Sequence, residues 1–182
     1  IIWEDKDELL ADGTIDCLWS SYSMNGREDK YQWAGPYMYS RQMVVVKAES
    51  EIQTLQDLKG KRVAVQATTK AEDLFLHNIA SDLPQMEQVN CFSTTNELYA
   101  ALRKNYVDAI AGHEAMLGSL VQDGKGIYRM LEESPYKSEL GIAFKKETHR
   151  ELAADLTETL KEMQDEGVTE EIVTKYGLDA DK

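Results

Sequence analysis

At 182 residues, 42% hydrophobic and 29% charged, the chain has a globular balance, with room for one ordinary domain or two small lobes and no signature of disorder. A formal net charge of −13, without any Lys/Arg cluster interleaved with aromatics, argues against nucleic acid as a partner and against anionic lipid surfaces. No apolar run approaches the roughly 18–20 residues of a membrane span, and no internal repeat or low-complexity segment is present. The chain opens directly on Ile1-Ile2-Trp3, so its start carries no information on compartment. Cys17 and Cys91 are too few for a disulfide scaffold, and each lies in an apolar stretch that reads as a site for a buried free thiol.

In chain order, Lys6 to Ala11 reads as a small helix ended by Gly13, followed by a short strand, Asp16 to Trp19. Gln42 to Lys47 and Arg62 to Val65 are apolar strands rich in β-branched residues. Thr69 and Glu72 have the spacing of a capping box, and so do Thr94 and Glu97, the latter opening a helix with Leu98, Ala101 and Leu102 on one face. Val107 to Ala111 and Leu140 to Lys145 are the next strands. A long amphipathic helix follows, opened by Thr148 and Glu151, striped by Leu152, Leu156, Leu160 and Met163, and ended by Gly167. A last helix from Thr169 carries Ile172, Val173 and Tyr176 and stops at Gly177. Short strands alternating with helices define an α/β fold with largely parallel sheets, whose ligands bind at the carboxyl ends of strands and at helix N-termini.

That rule directs attention to Ser20–Arg27, Gln66–Thr69 and Gly112–Glu114, each just past an expected strand. In the first, Ser20, Ser21, Ser23 and a turn-forming Asn25-Gly26 lead to Arg27. Hydroxyls and backbone N–H groups suit a small polar ligand, and a guanidinium grips a carboxylate with two parallel hydrogen bonds. The plainer reading is a polar loop whose arginine pairs with Glu28 or Asp29 in solvent. In the second, Gln66, Thr68 and Thr69 stand where unpaired N–H groups of a helix start face outward, or Thr69 simply caps its own helix. In the third, His113 beside Glu114 suits an acid/base pair, a metal fragment or a ligand contact. His77 and His149 lie in unrelated helical contexts, so no metal set assembles. Neither cysteine has an activating signature, and no phosphate-cradling glycine loop or cofactor motif is present.

Six segments in order carry a resemblance along nearly the whole chain: Trp3 with Leu9–Asp16; Arg27 through Trp33-Ala34-Gly35-Pro36-Tyr37; Leu55–Val65; Leu102–Ala109; Gly141–Lys146; and Gly167, Ile172 and Lys175-Tyr176-Gly177. Together they resemble the bacterial extracellular solute-binding proteins of the polar amino-acid class. The resemblance implies a type II periplasmic-binding-protein-like fold, with two lobes joined by two crossovers and closing on a ligand between them. Lobe 1 would comprise 1–40 and 140–182, and lobe 2 would comprise 41–139. It further implies that Arg27 holds a ligand carboxylate with help from Ser20, Ser21 and Ser23, and that Gln66, Thr68 and Thr69 add contacts.

Two departures are visible. His113 stands where many members of that class have an aspartate for the ligand's α-ammonium, which weighs against an ordinary α-amino acid. The class also carries a strand–helix–strand unit before the position of Trp3, so lobe 1 is expected to lack its first unit, through trimming or because a strand-exchanged or edge-paired dimer fills the gap. The implied function is non-enzymatic capture of a small carboxylate-bearing solute outside the cell, in the periplasm or anchored at the cell surface. The readout is either ABC import or a signalling module in the same polypeptide. The alternatives are a dehydratase-like enzyme on the same scaffold and an interaction module without a ligand.

Overall fold

The computed structural model describes residues 1–79 and 82–176. It forms two compact units, one of Ile1–Glu4 with Arg41–Tyr136, the other of Asp5–Ser40 with the described chain from Lys137 on. The chain thus changes unit at 40/41 and again at 136/137.

In the 41–136 unit, β2 (Gln32–Lys47) runs antiparallel to β5 (Ala109–His113) on one side and to β6 (Tyr128–Met130) on the other. β3 (Arg62–Gln66) lies parallel to β5 and to β4 (Gln88–Phe92), which gives the order β6-β2-β5-β3-β4. Both faces are covered. Val44, Val46, Val63, Val65 and Ala111 enter one core with Leu58, Leu131 and the Leu74 and Phe75 side chains of α2 (Lys70–Phe75). Met43, Val45, Ala64 and Ile110 enter the other with Leu98 and Leu102 of α3 (Thr95–Arg103) and Leu117 of α4 (Glu114–Asp123). Successive strand side chains point to opposite faces, so a strand buried on both sides must read as an unbroken apolar run, as Met43–Val46 does. At the strand starts, Asp108 accepts from the Arg62 backbone N–H (2.9 Å), Nε (3.1 Å) and Nη2 (2.7 Å), which fixes β3 against β5.

The second unit contains α1 (Lys6–Asp12), ended by Gly13 at φ 81°, and β1 (Cys17–Ser23), antiparallel to β7 (Tyr136–Phe144). The first half of β2 lies beside β7, and α5 (Arg150–Asp165) and α6 (Val168–Lys175) complete the unit. Its core joins Ala34, Ile142, Phe144, Ala153 and Leu160.

The α/β class expected from sequence is what forms, but the pairing is mixed rather than largely parallel. β3 lies parallel to β4 and to β5, while β1 with β7, and β2 with β5 and β6, pair antiparallel. The strand expected at 107–111 begins at Ala109, because Asp108 is committed to Arg62. Of the three capping-box spacings, only Thr94/Glu97 closes reciprocally, with Thr94 N–H to Glu97 at 3.0 Å and Glu97 N–H to Thr94 Oγ at 3.3 Å. Thr148 instead donates to the Lys145 carbonyl (2.6 Å), and α5 starts after His149 at φ 52°. The apolar stripe of α5 shifts accordingly: Leu152 is 46% exposed and Ala153 is buried in its place. α6 begins at Val168, buries Val173 and leaves Ile172 and Tyr176 exposed; the stop expected at Gly177 lies outside the described residues. The cysteines are not the buried pair expected, since Cys17 is half-buried and Cys91 exposed.

Candidate ligand-binding site

The Ser20–Arg27 stretch is built on a bulge. Trp19 pairs with Ile142 and Ser23 with Leu140, so Ser20, Ser21 and Tyr22 stand against Gly141 alone. A bulge of this kind re-aims side chains and breaks the ladder locally. β1 therefore extends through the serines, which belong to the strand rather than to a loop beyond it. Ser20 is exposed and its carbonyl accepts from the Tyr37 hydroxyl at 2.6 Å; Ser21 is half-buried, and Ser23 is buried with Oγ 3.3 Å from Asn25 Oδ1. Asn25 also accepts from the Glu139 N–H at 2.8 Å, which ties the turn to β7. At Gly141 a Cβ would come within 2.6 Å of Met24 Sδ and 2.9 Å of the Trp33 ring, so any larger residue there would have to displace one of these side chains.

Arg27 is packed back against the strand that precedes it. Its guanidinium lies 5.3 Å from the centre of the Tyr22 ring, and Nη1 is 3.4 Å from the Ser23 carbonyl. Its own carbonyl accepts from Trp33 Nε1 at 3.0 Å. Tyr22, Tyr31 and Trp33 form a three-ring cluster with centroids 5.4–5.6 Å apart. Tyr22 donates to the Tyr31 oxygen (2.8 Å), Tyr31 donates to Asp7, and Lys30 pairs with the same carboxylate at 2.8 Å. Burial works against the Asp7 anion, but the hydrogen bonds from Lys30 and Tyr31 outweigh it and leave the pKa below the usual carboxylate value. Burial, together with Asp7 and Tyr22, pushes the Tyr31 phenol far up, so the phenol stays protonated beside the Asp7 anion. Sequence reading missed the support; the only local signal was a set of aromatics flanking Arg27.

In the 41–136 unit the other candidates share one end of the sheet. Val65 pairs with Ala111, so β3 and β5 run out together at Gln66 and His113. Gln66 Nε2 donates to the Ser93 carbonyl at 3.3 Å. The chain then turns through Thr68 at φ 58°, whose N–H donates to the Glu72 carboxylate at 2.6 Å. Thr69 precedes α2 without capping it; its hydroxyl donates back to the Gln66 carbonyl at 2.7 Å. The Thr69/Glu72 box thus fails because Glu72 is drawn to the residue before. The Cys91 thiol hydrogen-bonds the same Glu72, and burial plus that anion push it up to about 11.

His113 is buried, and Gln42 Nε2 lies 3.0 and 3.1 Å from its two ring nitrogens, an amide N–H donating to whichever is unprotonated. Glu114 opens α4 and pairs with Arg41 through both nitrogens, with Nε to Oε2 at 2.9 Å. The structure thus gathers Gln66, Thr68, Thr69 and His113 in one unit and Ser20, Ser21, Ser23 and Arg27 in the other. Among the described residues no three His, Cys, Asp or Glu side chains converge as metal ligands.

Two α/β units whose strand ends carry hydroxyl, amide and imidazole groups, with one supported guanidinium, define a binding protein for small polar molecules. The chain belongs to the bacterial extracellular solute-binding proteins, family 3, which it matches over residues 1–179. It is 28% identical over 184 residues to the L-cystine-binding protein TcyJ of Escherichia coli (strain K12), covering 99% of this chain and 67% of that protein. It is 24% identical over 186 residues to the probable histidine-binding protein of Campylobacter jejuni, covering 98% and 70%. The putative amino-acid ABC transporter-binding protein PatH of Vibrio harveyi is 28% identical over 179 residues, covering 96% and 70%. Among solved structures, Tv2483 bound to L-arginine superposes with a TM-score of 0.83 at 26% identity, covering 99% of this chain and 73% of that one. The family and these relatives are binding proteins rather than enzymes. Among the described residues no helix is long and apolar enough to cross a membrane.

Proposed function

We propose that this chain captures an amino acid or a close carboxylate-bearing analogue outside the cell. Arg27 grips the carboxylate with help from Ser20, Ser21 and Ser23, while Gln66, Thr68, Thr69 and His113 meet the rest of the ligand. The observation that carries the reading is the Arg27 guanidinium held on the Tyr22 ring, beside the bulged run of serines. A planar fork fixed by stacking loses less freedom when it binds a carboxylate. The relatives' names supply the ligand class, and the readout proposed from them is delivery to an ABC importer. A signalling module in the same polypeptide, anchorage at the cell surface and pairing with a second copy are finer proposals. Light scattering with and without ligand tests the pairing.

The test of capture is a thermal-shift screen against L-cystine, L-histidine, L-glutamine, L-arginine, their N-acetyl forms and small dicarboxylates. A ligand at 100-fold its dissociation constant stabilises the fold by about 2.7 kcal/mol, a clear upward shift. A response to free amino acids supports the full reading, and a response confined to ligands without an ammonium group marks His113 as having changed the specificity. No response across the panel refutes the proposal.

A further inference from the structure

Side chains outside the candidate contacts converge on the points where the chain enters and leaves the 41–136 unit. Arg41, the first residue after the change of unit at 40/41, forms the two-pronged pair with Glu114, next to His113. Gln42 follows it, facing His113 in the strand register and reaching its ring through the side chain. At the second change, Tyr136 is the last residue of the unit, and the ammonium of buried Lys70, next to Thr69, lies 5.0 Å from the centre of its ring. Ser134 joins the two points, with Oγ 2.8 Å from the Gln42 carbonyl and 3.0 Å from the Tyr136 carbonyl. One connected path thus runs from Thr69–Lys70 through Tyr136, Ser134 and Gln42 to His113–Glu114.

We infer that Arg41, Lys70 and Ser134 are positioning residues, which hold the Thr68–Lys70 turn and the His113–Glu114 strand end in one geometry and fix both to the two chain crossings. The consequence for binding rests on the function proposed above; the positioning itself does not. The two ligand-facing segments belong to different strand–helix junctions, 45 positions apart by number (68 to 113), so the sheet ladder sets them side by side only as far as Val65 and Ala111. Beyond that pair, the path through Ser134 adds a polar link to the packing of Ala71 and Leu74 of α2 in one core with Ala111. A hydroxyl carries one proton, so Ser134 shares it between two carbonyls, and its removal loosens both crossings at once. Lys70 acts through its charge over the Tyr136 ring and through its buried stem.

The test uses Ser134→Ala and Ser134→Thr in the full chain. Without any ligand, amide hydrogen exchange in Ser134→Ala should quicken roughly fivefold at residues 67–70 and 112–116 together, the scale of one lost hydrogen bond. Exchange at Leu98–Leu102 in α3 should not change, and Ser134→Thr, which keeps the hydroxyl, should restore the wild-type pattern. With L-arginine and L-glutamine as probes, the dissociation constant of Ser134→Ala should rise by a similar factor while the melting point of the free protein falls by only roughly 2–4 °C. Unchanged exchange at both segments overturns the inference, and so does a lower melting point with an unchanged dissociation constant. If the wild-type chain binds neither probe, the proposed function is what fails, and the exchange pattern still decides the positioning role.

Discussion

Replacing Arg27 by alanine separates recognition from stability, because the structure sets the two costs apart. In the free protein the guanidinium is half-buried and stacked 5.3 Å from the Tyr22 ring, a contact of about 0.5–1 kcal/mol. Its hydrogen bond to the Ser23 carbonyl, at 3.4 Å, is near the outer limit and adds little. Truncation should therefore cost the free fold about 1 kcal/mol, or roughly 2–4 °C for a chain of this size. Removing the partner of a desolvated ligand carboxylate costs about 2–5 kcal/mol, and the half-exposure of Arg27 places it near the low end. About 2–3 kcal/mol is a rise of roughly 30- to 150-fold in the dissociation constant. Arg27→Lys keeps the charge without the planar fork and should fall between. Calorimetric titration with the best ligand of the panel, beside the melting point of each free variant, measures both costs. An Arg27→Ala protein that binds as tightly as wild type would refute the assignment, and so would one whose loss of binding follows entirely from unfolding.

Thr94→Ala removes the reciprocal Thr94/Glu97 cap and should lower stability to urea by about 1 kcal/mol, with Thr94→Ser retaining most of it. Asp7 has a depressed pKa in the fold, so its contribution is present above the usual carboxylate value near pH 4 and is lost as pH falls below it; Asp7→Asn should be less stable at neutral pH and show a shallower acid limb in urea midpoints. Cys91 is exposed but pushed up to about 11, so only about one thiol in a thousand is ionised at pH 8 and alkylation should be slow. Glu72→Gln removes a charge that raises this pKa, and peptide mass spectrometry should show faster labelling of Cys91 in that variant.

What the sequence disclosed was set by the range of the interactions involved. Val44-Val45-Val46 and Val63-Ala64-Val65 announced buried strands because a two-faced core leaves no polar alternation, and Leu98, Ala101 and Leu102 marked a helix face by spacing alone. β4 and β6 gave no such signal: Gln88–Phe92 is at most half-buried, and Tyr128–Met130 is too short to show a period. The Thr69 and Thr148 boxes were spelled correctly but not made, since Glu72 turns to the Thr68 N–H and the Thr148 hydroxyl turns to the Lys145 carbonyl. Arg27 was legible as a candidate from its own loop. Its support was not, because Asp7 and Tyr31 lie 24 positions apart. Likewise Gln42 and His113, 71 positions apart, and Arg41 and Glu114, 73 apart, meet only through strand pairing.

The central claim is that Arg27 and the serines beside it hold the ligand's carboxylate. The direct measurement is a backbone amide NMR titration of the wild-type chain and of Arg27→Ala with the ligand that stabilises the wild type most. Amides of Ser20–Arg27 should shift in the wild type along one curve with one dissociation constant, and that curve should move to far higher ligand concentration in Arg27→Ala. A wild-type titration that leaves Ser20–Arg27 still while the ligand binds, or an unchanged curve in Arg27→Ala, would contradict it.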